Sequence, residues 1–333
     1  MIDAAYVGSY AGRVAVAKKL DALPGNYWAD GSVRNDAIAT NLNSNVPNPF
    51  RLSNFASMQQ SDPVIYRDMS TQSMYTSSTI RKATLLRPFP QMNGNLTNNS
   101  APNGKVKTHA FELNVQKRFS QGFNLSFGYT ALKVREKNFY FNEFDAEPSW
   151  RTSNNGRPQR VVATSLFEFP FGRGKRFGNQ AGRALDLLIG GWQTGVTYEF
   201  QPGGLLDWGN YFYYGQNLAD IVKADKTFDQ WFNTANFERA SARQPAAYHR
   251  RVFPVRVPDV RADKTSQWNV NLSKNLRVTE RVNLQLRLDA LNVQNRSQMA
   301  GPNTDPTSTN FGRITSQSQG TNRWLDVQAR LTF

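Results

Sequence analysis

Histidine and cysteine often carry metal or nucleophilic chemistry in proteins, and this sequence contains few of them. Its 333 residues include two histidines, His109 and His249, and no cysteine. Neither histidine belongs to a spacing such as H-x-x-x-H, which is typical of zinc sites. The sequence therefore predicts no metal site, no bound cofactor and no thiolate chemistry.

Three carboxylates lie within five residues of each other, at Glu143, Asp145 and Glu147. Such a group could supply the acid and the base of a hydrolase, but a solvated loop is the simpler interpretation. The stretch GRGKRFG at 172–178 resembles a phosphate-binding loop. It lacks the G-x-x-x-x-G-K-[ST] spacing and we expect no helix after its lysine, so we interpret it as a glycine-rich connection. We therefore expect that the protein is not an enzyme.

The composition is basic and rich in aromatic residues. Forty Lys and Arg against 25 Asp and Glu give a net charge of +15, and Phe, Tyr and Trp make up 12% of the chain. The basic residues are scattered, so we expect no nucleic-acid partner, although a soluble basic β-protein with aromatic stacking platforms stays an alternative. No apolar run approaches the 18 or so residues of a membrane-spanning helix. Few aliphatic but many aromatic residues are typical of a transmembrane barrel.

Alternation of apolar and polar residues with a period of two is the main structural signal. In 280–292, for example, Val282, Leu284 and Leu286 alternate with Asn283 and Gln285. This period is typical of strands with one apolar face. The predicted strands are 1–8, 13–19, 107–119, 122–134, 157–169, 190–201, 265–275, 280–292 and 322–333.

Charges on the polar faces of these strands are expected to point into a barrel lumen. An arginine that faces lipid at the bilayer midplane costs about 2–4 kcal/mol, so the opposite face is favoured. In a complete receptor, some of these side chains would contact a plug. The charges are Glu112, Arg118, Arg287, Asp289, Asp326 and Arg330.

The predicted connections alternate between short and long. A soluble sandwich has no reason for this alternation, whereas outer-membrane barrels combine short periplasmic turns with long extracellular loops. We therefore predict an all-β fold, a transmembrane antiparallel β-barrel with about nine strands. The short connections are 9–12, 120–122 and 276–279; the long ones are 20–106, 135–156, 202–264 and 293–321, and 170–189 is intermediate.

Six segments in order resemble the C-terminal barrel of TonB-dependent receptors, in particular the Oar-like group. Members of that group carry a carboxypeptidase-regulatory-like domain at the N terminus. The chain end, NRWLDVQARLTF, also resembles the sorting signal that the barrel assembly machinery reads, with its apolar residues at Leu325, Val327, Ala329, Leu331 and Phe333. The six segments are LLRPFPQ (85–91), VQKRFSQGFNLSFGYTALK (115–133), FEFPFGRGKRFG (167–178), GGWQTGVTYEFQPGG (190–204), WFNTANFE (231–238) and GPNTDPTSTNFGRITS (301–316).

The resemblance implies a receptor or transporter in the cell outer membrane of a Gram-negative bacterium. Receptors of this type have about 22 strands and a plug, and the family would also begin with a signal peptide and a TonB box. Since none of these N-terminal parts is found, we expect residues 1–333 to be a C-terminal portion of the barrel, a fragment that is inactive alone. The implied partners are outer-membrane lipid, lipopolysaccharide, the barrel assembly machinery and, through the missing part, the TonB complex. The solute is not identified, and surface binding or adhesion by the long loops is the alternative function.

Overall fold

Antiparallel strands make up most of the regular structure. The computed structural model describes residues 1–279, 281–318 and 320–333. The strands in these residues are β1 (Ile2–Lys19), β2 (Asn45–Pro47), β3 (Thr79–Arg81), β4 (Thr97–Ser120), β5 (Phe123–Phe139), β6 (Ser149–Thr152), β7 (Gln159–Glu168), β8 (Trp192–Gln201), β9 (Leu205–Asp207), β10 (Arg256–Arg261), β11 (Thr265–Arg277), β12 (Asn283–Leu291) and β13 (Trp324–Thr332).

Helices are short and lie in the connections. They are four to eight residues long, which is too short for a helical period to stand out in the sequence. The α-helices are α1 (Asp36–Asn43), α2 (Met58–Ser61), α3 (Pro63–Ser70), α4 (Ser73–Thr76), α5 (Lys82–Leu85) and α6 (Arg183–Ile189), and the 3₁₀ turns are Gly25–Tyr27, Leu52–Phe55, Pro90–Met92, Leu218–Ile221 and Ser241–Arg243.

Eight long strands form one antiparallel sheet in the order β1-β4-β5-β7-β8-β11-β12-β13, and the short β6 pairs with β5. Each strand therefore pairs with the next long strand along the chain. Within the described residues β1 and β13 are not paired with each other, so the sheet is open. The predicted antiparallel architecture is confirmed as an incomplete barrel wall. Two small sheets, β2 with β3 and β9 with β10, lie in the loops.

One face of the large sheet is apolar across all eight strands. On β8 and β11, Tyr198 lies opposite Trp268, and their rings stack with centroids 4.4 Å apart. On β12 and β13, Leu288 lies opposite Val327, whose side chain is 78% exposed. Exposed apolar side chains on one face, with amides, hydroxyls and charges on the other, are typical of a wall with lipid outside and a polar lumen inside. We call them the apolar face and the polar face.

The two ends of the sheet differ in the length of their connections. At one end, the short-turn end, the connections are 121–122, 169–191 and 278–282. At the other, the long-loop end, they are 20–96, 140–158, 202–264 and 292–323. The predicted alternation of short and long connections is confirmed only in part, because the connection 169–191 at the short-turn end has 23 residues whereas 140–158 at the other end has 19.

The predicted turn at 9–12 is wrong, because β1 runs without interruption from Ile2 to Lys19. Arg13 adopts φ 55°, and the register with β4 shifts between Gly12 and Val14. A β-bulge of this kind lets a strand continue past residues that do not fit the ladder. The sheet still has nine strands, because the predicted strands 1–8 and 13–19 are one and β6 adds another.

Candidate ligand-binding surface in the long loops

The buried apolar core of the described chain lies mainly in the long loops rather than in the sheet. Trp208 is its centre: its ring stacks on Phe237 at 5.6 Å and meets the edges of Phe232 at 4.9 Å and Phe253 at 5.5 Å. Aromatic pairs of this geometry add to the free energy gained from burial. The cluster joins loops 202–264 and 292–323, and its buried members are Leu206, Trp208, Ile221, Trp231, Phe232, Phe237, Phe253, Val257, Val260, Phe311 and Ile314.

A second cluster ties loop 20–96 to loop 202–264. Leu23, Leu42 and Ala83 are buried together, and Tyr248 packs against them. The two loops also exchange backbone hydrogen bonds: Ala29 N donates to Tyr248 O, and Arg250 N donates to Ala29 O, both at 2.8 Å. Loops 20–96, 202–264 and 292–323 therefore form one assembly, which we call the loop assembly.

Glu136, near the end of β5, anchors the loop assembly to the wall. Its buried carboxylate accepts hydrogen bonds from Arg151 Nε at 3.0 Å, Arg256 Nη1 at 2.9 Å and Ser153 Oγ at 2.7 Å. Arg256 belongs to β10 and also pairs with Asp207 at 2.7 Å. Burial, with the neighbouring charge of Arg256, lowers the pKa of Arg151. Buried charges that are paired in this way fix geometry, because each partner would be costly to leave alone.

Glu143 forms a second anchor, and the solvated-loop interpretation is wrong for this residue. Its carboxylate pairs with Lys19 at 2.9 Å and Arg87 at 3.3 Å and accepts a hydrogen bond from Leu23 N at 3.0 Å. Its two neighbours in the acidic stretch have different partners. Asp145 accepts from Asn142 N, and Glu147 pairs with Lys137, whose hydrogen bond lowers the pKa of Glu147.

A polar cleft of about 410 Å³ opens in the loop assembly. Asn48 is buried in its wall and already bonded to backbone groups, whereas the exposed Arg81 has no ion-pair partner among the described residues. Amides, hydroxyls, two guanidinium groups and one aromatic ring line the cleft, and its lining contains no carboxylate. The lining residues are Asn45, Asn48, Ser73, Met74, Ser77, Thr79, Ile80, Arg81, Ala83, Thr84, Arg87, Asn93 and Tyr248.

Basic side chains lie on the apolar face near the long-loop end. Lys107 lies opposite Arg135, and the next pair toward the loops is Lys105 opposite Lys137. Lys107 Nζ and the Arg135 guanidinium lie 5.4 Å and 5.8 Å from the ring centre of Trp150. We call Lys105, Lys107, Lys133 and Arg135 the basic rim. The sequence prediction missed it, although its residues share the parity of the apolar positions on β4 and β5.

The strand pairings place the charges predicted for the lumen on the polar face, wherever a pairing includes them. Glu112 lies opposite Thr130, and Asp289 opposite Asp326. Arg287 and Asp289 form an ion pair at 2.8 Å, and Arg330 lies opposite Gln285. Arg118 comes two residues after Gln116 on β4. Their predicted contact with a plug stays a prediction.

The predicted sorting-signal residues lie on β13 and just beyond it. Leu325, Val327, Ala329 and Leu331 follow the apolar face of β13, opposite alternate residues of β12, and Phe333 comes directly after the strand. All five are exposed. Recognition of this strand by the barrel assembly machinery stays a prediction.

The two histidines lie in different environments. The Tyr6 hydroxyl and His109 Nδ1 share a hydrogen bond of 2.6 Å on the sheet, while His249 is buried in the loop assembly and its Nδ1 donates to Arg250 O at 2.7 Å. In the part of the chain that the structure describes, no group of three or more His, Asp or Glu side chains is placed to hold a metal ion. None of the described helices has the length and apolar character needed to cross a membrane. No helix opens at the lysine of GRGKRFG, in agreement with the sequence prediction; the next helix, α6, begins at Arg183, eight residues after Lys175.

Comparison with known proteins gives one family and one solved structure. The model of a family described as outer membrane beta barrel domain matches residues 1–328. The crystal structure of the outer membrane transporter YddB from Escherichia coli matches 69% of this chain at 14% sequence identity, with a TM-score of 0.31. The match spans only 26% of the YddB chain. No curated protein sequence matches.

Proposed function

The chain belongs to the family of outer membrane beta barrel domains, and from this premise we propose that it supplies wall strands and outer loops to a solute receptor of the TonB-dependent, Oar-like type. It is a protein of the cell outer membrane. In such barrels the short turns face the periplasm and the long loops face the cell exterior. A location in the outer membrane argues against the alternative of a soluble β-protein.

The observation that carries the proposal is that the outer loops have a core of their own. Trp208 and its aromatic neighbours are buried above the wall, and Glu136 and Glu143 fasten the loops to strand ends. A loop surface that is ordered before binding loses less conformational entropy when it captures a ligand. This favours a receptor over a plain pore.

The unpaired edges of the sheet support a larger barrel. β1 and β13 each present one side without a strand partner in the described residues. Open edges are not tolerated in lipid, because their backbone groups would lack hydrogen bonds. We therefore propose that further wall strands complete the barrel, and that a plug and a TonB-binding segment outside this chain couple it to the energised inner membrane.

The polar cleft suggests the class of solute. Hydroxyls and amides suit a hydroxylated ligand, Tyr248 offers a ring, and Arg81 favours a negative charge, whereas Arg87 is already paired with Glu143. We infer an acidic carbohydrate. The test is titration of the chain, folded in detergent, with oligogalacturonate and with neutral maltohexaose, followed by tryptophan fluorescence.

We expect the acidic sugar to bind at least fivefold more tightly than the neutral one. Arg81→Gln should remove this preference, whereas the matched control Arg67→Gln, on exposed α3, should keep it. Equal binding of both sugars contradicts the assignment. In cells with the complete receptor, a protonophore should stop uptake but leave binding intact. Binding without any uptake would replace the receptor function by surface binding or adhesion.

Lipopolysaccharide is the partner that we propose for the basic rim. Lys107 and Arg135 are exposed on the lipid side at the outer end of the wall, where phosphates of the outer leaflet lie. One basic residue near an anionic surface contributes about 1 kcal/mol, or roughly fivefold in affinity. Lys107→Gln with Arg135→Gln should weaken binding of lipopolysaccharide to the folded chain by about 25-fold. Unchanged binding, or equal binding of dephosphorylated lipopolysaccharide, would contradict the proposal.

A further inference from the structure

The connection between β7 and β8, residues 169–191, combines charge with exposed apolar side chains at the periplasmic end of the wall. Four basic residues and one acidic residue give it a net charge of +3. It contains GRGKRFG and α6, and neither has a part in the receptor function proposed above. We call residues 169–191 the periplasmic unit.

The periplasmic unit is compact because its glycine-rich half packs on α6. Arg173 N donates to Asp186 Oδ1 at 2.6 Å. Gly172 adopts φ 111°, and a Cβ there would lie 2.6 Å from Gly190 Cα. No side chain fits in such a close approach, so glycine is required at position 172. The basic residues are therefore held next to the helix rather than on a free loop.

Hydrogen bonds place the end of α6 against the lipid-facing surface of the wall. Lys274 and Trp192 lie opposite each other on the apolar face, in register with Leu286 of β12. Lys274 Nζ donates to Leu188 O and Gly190 O, both at 2.8 Å, and Trp192 Nε1 donates to Leu188 O at 3.0 Å. Lys274, a cation on the face that meets lipid, is thereby only 8% exposed.

The outer side of the periplasmic unit is apolar and uncovered in the described structure. Leu188 is 70% exposed and Leu185 51%, and Phe171 and Phe177 in the glycine-rich half are exposed as well. The unit lies between β7 and β8, in the middle of the sheet, so wall strands added at β1 or β13 would not cover it. A plug in the lumen would lie on the other face. The remaining neighbour is the inner leaflet of the membrane.

The periplasmic unit also carries four exposed basic side chains, Arg173, Lys175, Arg176 and Arg183. A cavity of about 690 Å³ between the unit and the end of β11 is lined by Arg173, Lys175, Arg183 and Arg277, together with the carboxylate of Asp186. Arg183 Nη2 donates to Val278 O at 2.6 Å and closes one side. Lys175 has only an exposed pairing with Glu168, and Arg176 lies exposed over the Phe177 ring.

We propose that the periplasmic unit binds acidic phospholipids of the inner leaflet. Leu185 and Leu188 enter the acyl boundary, while Lys175 and Arg176 bind headgroup phosphates. Amphipathic helices bind membrane surfaces by this combination of apolar burial and attraction to anionic lipid. The inference depends on the outer-membrane location and not on the solute, so either proposal can fail without the other.

The chain has no cysteine, so a single label can report on the site. Leu188→Cys, labelled with a fluorophore sensitive to polarity, is folded in neutral detergent and titrated with dihexanoylphosphatidylglycerol or dihexanoylphosphatidylcholine. We expect a saturable blue shift with the acidic lipid and a much weaker response to the zwitterionic one. The same label at Val33→Cys, exposed in an outer loop, should not respond.

Charge removal tests the headgroup contact. Lys175→Gln with Arg176→Gln should raise the half-saturating concentration of the acidic lipid about 25-fold, at about fivefold per charge. The matched control, Arg51→Gln with Arg67→Gln, removes two exposed charges from an outer loop and should change nothing.

Several results would overturn the proposal: equal responses to both lipids, an unchanged titration in the Lys175 and Arg176 variant, or competition by inorganic phosphate, which would indicate a site for soluble anions. That variant is tested for folding by heat-shift electrophoresis. If it does not fold, the salt dependence of lipid binding by the labelled chain with Lys175 and Arg176 intact tests the headgroup contact instead. Raising NaCl from about 50 to 500 mM should weaken binding of the acidic lipid severalfold. Binding of the acidic lipid that does not depend on salt would also overturn the proposal.

Discussion

Replacing Glu136 by alanine should release the loop assembly from the wall while the wall stays folded. The variant removes an acceptor from Arg151, Arg256 and Ser153 and leaves two guanidinium groups without this carboxylate. Removal of one partner from a buried ion pair costs about 3–5 kcal/mol. Arg256 keeps its pairing with Asp207, so we expect the low end, about 3 kcal/mol, or roughly a hundredfold in the local opening equilibrium.

Hydrogen exchange measured by mass spectrometry can locate this effect. Exchange of protected amides follows the local opening equilibrium, so peptides that contain β9 and β10 should exchange about a hundredfold faster in Glu136→Ala. Peptides from β11 and β12 should not change. Glu136→Gln, which keeps the shape and one acceptor oxygen, should lie between the variant and the natural protein.

Glu199→Ala is the matched control, because Glu199 also pairs with an arginine, Arg160, at 3.0 Å. Both side chains of this pair are exposed, and exposed ion pairs contribute about 0–1 kcal/mol. The anchoring role would be refuted if the exchange rate of β10 in Glu136→Ala stays within threefold of that in the natural protein. It would also be refuted if Glu199→Ala raises this rate as much as Glu136→Ala does.

Three further variants or conditions test other parts of the structure. Val196→Arg places a charge on the apolar face at the middle of β8 and should lower the free energy of unfolding from lipid by about 2–4 kcal/mol, as measured with guanidinium. The adjacent Thr197→Arg, on the polar face, should lower it by less than about 1 kcal/mol. Equal losses in the two variants would contradict the assignment of faces. Trp208→Ala should destabilise the loop assembly by about 3–5 kcal/mol and open it to proteolysis. Trp208→Phe should destabilise it by less than half as much, because it keeps a ring and removes a buried N–H that has no partner in the described structure. The hydrogen bond from Ala240 N holds the pKa of Glu238 below its usual 4.5. The stability that this carboxylate contributes is therefore present above pH 4.5 and is lost as the pH falls through the lowered pKa. Protection of the Ala240 amide from hydrogen exchange should follow the same course, and loss of this protection already near pH 6 would contradict the prediction.

The sequence predicts the wall well because its signal is local. Alternation in β11 and β12 assigns each side chain to a face without knowledge of the partner strand. The bulge at Arg13 could not be predicted in this way, because it depends on pairing with β4, almost a hundred residues later in the chain. The residue that interrupts the alternation in the sequence is accommodated by a β-bulge in the pairing of β1 with β4.

The loop assembly was beyond prediction for a related reason. Trp208, Phe237 and Phe311 meet without any period, through contacts between segments that are distant in the sequence. The basic rim and Lys274 did leave a signal, since each is a basic residue at a position whose parity is apolar. A polar residue that breaks an otherwise apolar alternation indicates either an interface with headgroups or a covering element, and here α6 covers Lys274.

The loop assembly also links the two edges of an open sheet. The loop that follows β1 is tied to 202–264, and 202–264 is tied to the loop that precedes β13. Strands that no backbone ladder joins in the described residues are thus connected at their outer ends through side-chain cores. If the receptor function proposed above holds, a ligand that tightens these loops would by thermodynamic linkage also narrow the range of spacings between β1 and β13. Ligand occupancy of the loops and the curvature of the wall would then be coupled.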